Sequence, residues 1–233
     1  MTNLLYVVIG VGFVLSLLVQ VWLRRTYARW SNVPNSLNLP GADVSRHLLD
    51  KNGMPDYRVT MQSGRLTDHF DPRSKTVCLS EKIFREPSVA SASIAAHETG
   101  HALQDQRGYG PMRLRAKLLP IAQLGAQFGP WSAIVGGIIR SATLIQIGFL
   151  MFAAALVFQL MSLPIEFDAS RRAKAQLDQM GFDTEQDRAG AKKVLFAAAM
   201  TYVAGAATAM GQLLLVLFFA GRGLLGRKTL SSK

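Results

Sequence analysis

The stretch SIAAHETGHALQ, residues 93–104, sets His97 and His101 four positions apart with Glu98 directly after the first, in a chain that has only four histidines. On an α-helix four residues turn through about 400°, so both imidazoles leave one face, one turn apart. Two such rings can hold one tetrahedral Zn²⁺, while Glu98, about 100° round, reaches the position left open for water. There it can accept a proton and pass it to a leaving amine, which is the chemistry of the His-Glu-x-x-His zinc peptidases. Two surface histidines on an amphipathic helix are the plainer alternative.

A catalytic zinc takes three protein ligands and one water. The metzincin spacing fails, because its Gly and third His fall at Gln104 and Arg107. The third ligand then comes from elsewhere. His47 and His69 lie upstream, and Asp105, Glu166, Asp168, Asp178, Asp183, Glu185 and Asp187 lie downstream. Glu166 has the informative placement: it follows Pro164 in LPIEFDASRRA, where an apolar run ends. If that run is the second arm of a membrane hairpin, the carboxylate returns on the side of the HETGH motif. An interfacial acid paired with Arg171 or Arg172 is the simpler reading of the same residue.

The elements that must position these groups are largely apolar helices. Residues 4–23 carry no charge, and about 20 residues of helix cross a hydrocarbon core of about 30 Å. Arg24 and Arg25 follow this run instead of preceding it, which favours a retained anchor over a cleaved signal. Residues 118–139 are uncharged but rich in Gly, Gln and Pro, as in a span packed against other helices. Only Arg140 separates them from the uncharged residues 141–163, so the two runs read as a helical hairpin. A fourth run covers 194–220. The expected division is an anchor at 1–23, a catalytic domain at 24–117, a transmembrane hairpin at 118–163, a cytoplasmic helix at 164–193, a transmembrane helix at 194–221 and a basic tail at 222–233.

Lys and Arg near the ends of spans mark the cytoplasmic side. Thirteen of them flank the spans within 24–43, 98–117 and 164–193, against five on the other side: Arg140, Arg222, Arg227, Lys228 and Lys233. The count sets the HETGH segment in the cytoplasm and both termini outside, although the basic tail argues the other way for the last helix. Basic residues flanking spans account for the net charge of +11 without nucleic acid. Cys78, the single cysteine, excludes an internal disulfide and fits a reducing compartment.

Between the first two spans the pattern predicts a small mixed domain. Val44, Leu48 and Leu49 share a face of a helix over 41–53 that stops at Asn52-Gly53. Alternating runs at 57–61, 65–70 and 75–80, with turn signals at Ser63-Gly64 and Asp71-Pro72, predict a small antiparallel sheet. TVCLS, 76–80, is a candidate edge on which an extended peptide could lie, with ordinary sheet packing as the alternative. Pro87-Ser88 then opens the helix that carries the two histidines and stops at Gly108.

Three blocks, GRLTDHFDPRSKTVCLS (64–80), SIAAHETGHALQ (93–104) and LPIEFDASRRA (163–173), stand in that order between the apolar spans. In these the chain resembles the bacterial multi-pass membrane zinc metallopeptidases of the YugP-like type, distant relatives of the HtpX and CAAX-type membrane peptidases. The resemblance covers most of the chain. It implies a mainly α membrane protein with about four transmembrane helices and a small α+β zincin-like domain of gluzincin type between the first and second. It also implies one Zn²⁺ held by His97, His101 and Glu166, with Glu98 as general base. Distant relatives carry an acid four residues after the glutamate ligand, where this chain has Ser170, and Asp168 lies two residues on. The group that orients the ligating histidines is therefore left open between them.

An oxyanion partner is also needed, and Arg171, His69 and Tyr109 are the candidates. The expectation is a zinc metalloendopeptidase of the bacterial inner membrane, its site facing the cytoplasm. It would act on membrane or membrane-proximal polypeptides, with the lipid bilayer and no nucleic acid as partners. Two other readings stand beside it. An intramembrane protease is disfavoured because the residues before His97 include Ser88, Ser91 and Ser93 and are too few to carry the motif to mid-bilayer. The other is a catalytically inactive, zinc-binding membrane scaffold.

Overall fold

The computed structural model describes residues 2–230. The end of the basic tail, residues 231–233, and Met1 lie outside the described residues. The chain is mainly helical, with seven helices and three short strands among those residues: α1 (Thr2–Trp30), α2 (Gly41–Lys51), β1 (Arg58–Gln62), β2 (His69–Asp71), β3 (Thr76–Ser80), α3 (Glu81–Arg85), α4 (Val89–Gln106), α5 (Gly110–Ile138), α6 (Ala142–Asp178) and α7 (Glu185–Leu230). Two compact units are formed, one from Met1–Leu18, Leu114–Leu163 and Tyr202–Lys233, the other from Val19–Arg113 and Pro164–Thr201.

The first unit is all helical. Two helices, Ala142–Asp178 and Glu185–Leu214, are long and apolar enough to cross a membrane. In α5 the apolar residues are diluted by Gly, Gln and Pro, and it is not one of the two. α5 and α6 form a helical hairpin that turns at Arg140 (φ 56°). Their backbones meet through small residues. A Cβ on Gly125 would stand 2.4 Å from the Met151 carbonyl, and one on Gly148 would stand 2.8 Å from the Ala133 nitrogen. Such closeness lets van der Waals contact hold the two helices together.

The second unit carries the HETGH motif. Ser88 caps α4, accepting a hydrogen bond from the Ser91 nitrogen at 3.1 Å, an arrangement worth about 1 kcal/mol. Half of the α4 residues are Ala, Ser, Thr or Gly and the helix is buried almost throughout, so it lacks the single apolar stripe of a surface helix. α2 lies against it with its Val44, Leu48 and Leu49 face, and the Ser45 hydroxyl donates to the Ala95 carbonyl at 3.1 Å. The apolar core joins Leu48, Val77, Leu79, Ile83, Ala95 and Leu103 with Tyr27 and Trp30 from the end of α1.

The sheet corrects one expectation. It is mixed, in the order β1-β3-β2, with β1 parallel to β3 and β2 antiparallel to it. Thr76–Ser80 is therefore the central strand and offers no free edge. Burial explains the order: β3 is buried at four of its five residues, whereas β1 has no buried residue and β2 only Phe70, so these two make suitable borders. The loop before β2 crosses the end of β3 and is tied there by Asp68, whose carboxylate accepts from the Ser80 nitrogen at 2.7 Å and from its hydroxyl at 2.9 Å.

Candidate metal centre

α4 delivers His97, Glu98 and His101, and all three are buried. The two rings stand 4.8 Å apart, centroid to centroid, and nearly perpendicular at 83°. Against them packs the C-terminal half of α6, which runs through Pro164 without a break. Contact is close because the residue before His101 is glycine: a Cβ on Gly100 would come within 2.8 Å of the Ala169 carbonyl. Glu166 is thereby brought to the histidines from 69 positions along the chain, with Oε2 3.2 Å from His97 Nε2 and 3.5 Å from His101 Nε2.

Each imidazole is engaged at its other nitrogen as well. Nδ1 of His97 lies 3.3 Å from the Ser170 hydroxyl, and Nδ1 of His101 lies 3.0 Å from Oε1 of Gln104. Gln104 in turn donates from Nε2 to the Ile165 carbonyl at 2.9 Å and to Asp168 at 3.0 Å. Asp168 also receives Arg172 Nε at 2.5 Å and the Arg171 guanidinium. Ser170 thus occupies the place of the acid found in distant relatives. Asp168 touches neither histidine and meets His101 only through Gln104. In the sequence Gln104 stands out only because, with Arg107, it breaks the metzincin spacing.

Electrostatics follow from this burial. Burial pushes the Glu98 carboxyl above its ordinary range, against the lowering influence of His97 and His101. For Glu166, burial acts in the same direction, but close contact with the His101 and His97 rings outweighs it and holds the group far below the carboxylate range. Asp168, despite burial, is held down at about 2 by Gln104, Arg171 and Arg172.

The other residues singled out from sequence lie elsewhere. His47 is exposed on α2. His69 is exposed at the start of β2, where its Nδ1 is 2.8 Å from the Thr67 carbonyl. Asp105 accepts from the Tyr57 hydroxyl at 3.4 Å, Asp178 pairs with Arg188, and Asp183 and Glu185 are exposed. Asp187 and Thr184 cap α7 reciprocally. Tyr109 is half-buried, and the Arg171 side chain is 78% exposed.

Among the described residues, His97, His101 and Glu166 form the one group with metal-binding geometry, their donor atoms all within 4.8 Å of one another. Two imidazole nitrogens and one carboxylate oxygen are a donor set of catalytic zinc sites. The family described as "Putative neutral zinc metallopeptidase" matches residues 5–221. The chain belongs to this family of zinc metallopeptidases. A relative from Bacillus subtilis (strain 168), described as "Putative membrane protease YugP", is 40% identical over 210 residues, covering 89% of this chain and 93% of the relative. No solved structure matches the chain. Zinc is the metal that membership in this metallopeptidase family implies, and the three donors fit it: both imidazoles turn Nε2 toward the Glu166 carboxylate while their Nδ1 atoms are occupied elsewhere.

Proposed function

We propose that this chain is a membrane-integrated zinc endopeptidase in which His97, His101 and Glu166 hold the ion and Glu98 is the general base. The observation that carries this reading is the buried cluster of three donors beside a fourth, ionisable side chain. When bound, zinc polarises a scissile carbonyl and brings the pKa of a water toward about 7. Glu98 would accept the proton of the attacking water and pass it to the leaving amine. Its burial serves this task, since a carboxyl with a raised pKa gives up a proton less readily to solvent and more usefully to an amine. Ser170 and Gln104 orient the two rings. Arg171, His69 and Tyr109 are the candidates for holding the developing oxyanion.

The reading extends to the membrane. Four spans are proposed, at 4–23, 118–139, 141–163 and 194–220, with 24–117 and 164–193 in the cytoplasm of a bacterial cell and both termini outside. Support comes from the first unit, where Phe13, Leu17, Ile121, Trp131, Ile138 and Leu150 are each more than half exposed. Apolar exposure on that scale suits hydrocarbon and not water. The basic flanks counted above set the orientation. Substrates are membrane or membrane-proximal polypeptides. An intramembrane site is not favoured: α4 is enclosed by α2, the sheet and α6, and its buried Ser91, Ser93, Thr99 and Gln104 are met by protein.

The test is Glu98→Gln in the full chain. Stoichiometric zinc with hydrolysis lowered by about 10²- to 10⁴-fold is expected. Undiminished cleavage by this variant would falsify the general-base role. A wild-type protein that holds zinc but cleaves no polypeptide would favour the inactive scaffold.

A further inference from the structure

We infer that Gln104 is a positioning residue that fixes the tautomer of His101, and that Asp168 and the Ile165 carbonyl set the orientation of Gln104 for that task. The inference rests on the zinc-site reading above.

The two ends of a glutamine amide are told apart only by their partners. One end of Gln104 faces the Ile165 carbonyl at 2.9 Å and the Asp168 carboxylate at 3.0 Å. A carbonyl oxygen only accepts, so the Ile165 carbonyl alone decides which end of the amide faces it. The amide NH₂ must therefore be the end facing α6. Its oxygen is left facing His101 Nδ1 at 3.0 Å, and an amide oxygen also only accepts. His101 must then carry its hydrogen on Nδ1. A neutral imidazole with hydrogen on Nδ1 has its lone pair on Nε2, the atom 3.5 Å from Glu166 Oε2.

Two features make this device costly to lose. Gln104 is 0% exposed, so no bulk water can replace a missing partner. Both partners that orient it lie on α6, the helix that supplies Glu166 and, through Ser170, holds His97. One helix segment thus donates a ligand and aligns the two ligands it does not donate.

The experiment measures the zinc affinity of full-length protein in detergent by competition with a chromogenic chelator, and records the visible spectrum of the Co²⁺-loaded form. Gln104→Met fills the space without hydrogen bonds, and Gln104→Glu is nearly isosteric but turns a second acceptor toward Asp168 and Ile165. Both are expected to lower affinity by about 10- to 100-fold and to alter the Co²⁺ spectrum. Adding Asp168→Asn to Gln104→Glu places a donor opposite the new carboxylate and is expected to restore most of the affinity. Restoration is the readout that a space-filling role would not produce. Wild-type affinity in both single variants overturns the inference, as does a double variant no tighter than Gln104→Glu, while zinc in the wild type stays intact. Wild-type protein that takes up no stoichiometric zinc overturns the zinc-site reading itself, and this inference with it.

Discussion

The Ser170 hydroxyl stands 3.3 Å from Nδ1 of His97, one helical turn beyond the glutamate that meets the same ring at Nε2. A hydroxyl accepts the Nδ1 hydrogen without a charge, so it orients the ring but raises its basicity less than a carboxylate would. Ser170→Ala is expected to weaken zinc binding by about tenfold, at the low end for such partners. Ser170→Asp, which installs the acid of distant relatives, is expected to bind at least as tightly as wild type. Chelator competition on the purified protein checks both, and tighter binding by Ser170→Ala than by Ser170→Asp would contradict the assignment.

Gly100 of α4 lies directly against the Ala169 backbone of α6. Its missing side chain leaves 2.8 Å between an added Cβ and a backbone carbonyl, which cannot rotate away. Gly100→Ala is therefore expected to force the helices apart, at about 1–3 kcal/mol for overpacking, and to lower zinc occupancy with it. The gain in helix propensity, about 1 kcal/mol, does not offset this. A higher melting temperature with full zinc would show that the contact yields easily.

Removal of a ligand should not depend on which helix it comes from. His97→Ala and Glu166→Ala each leave two donors and an opening, and comparable loss of stoichiometric zinc is expected from both. Elemental analysis after dialysis decides it. A fully loaded Glu166→Ala protein would mean that the site closes through another residue.

Asp68 gives a pH dependence whose sign is opposite to the usual one for a carboxylate. Burial raises its pKa, and the hydrogen bonds from Ser80 recover only part of that shift. The folded protein then holds this proton more tightly than the unfolded chain, where the value is about 3.9. Stability from this group is full below that pH and is lost as pH rises through the folded value. Asp68→Asn keeps an acceptor for Ser80 and removes the titration. Its melting temperature relative to wild type is expected to rise between about pH 4 and pH 7, and a constant difference would contradict the expectation.

Sidedness can be read with one thiol. In a Cys78→Ser background, Arg85→Cys places a reactive group on α3, where the native side chain is 62% exposed. An impermeant maleimide is expected to label it in inverted vesicles and not in intact cells. The reverse pattern would turn the proposed topology over.

How far the sequence could be read depended on the range of each interaction. His97, Glu98 and His101 were legible because a helix fixes residues four apart by local geometry alone. Glu166 needed a hairpin argument and a family resemblance, since nothing local ties it to the motif. The strand order was hidden: whether the chain returns beside β1 or crosses it is decided by how the Gly64–Asp68 segment runs over Ser80. Gln104 was illegible for a sharper reason, because its partner is the backbone carbonyl of Ile165, a group every residue carries. Gly100 did leave a signal. A glycine inside a helix is costly enough to announce that another backbone lies against it.

The division of the donors between α4 and α6 also bears on the making of the protein. Residues are added in order, and the histidines emerge well before Glu166 exists. Throughout that interval the nascent chain carries two of the three donors, and the alignment of both rings by α6 is also missing. On the proposed reading a half-made copy on the ribosome lacks its metal site, and hydrolysis would begin only after most of its helices have been synthesised.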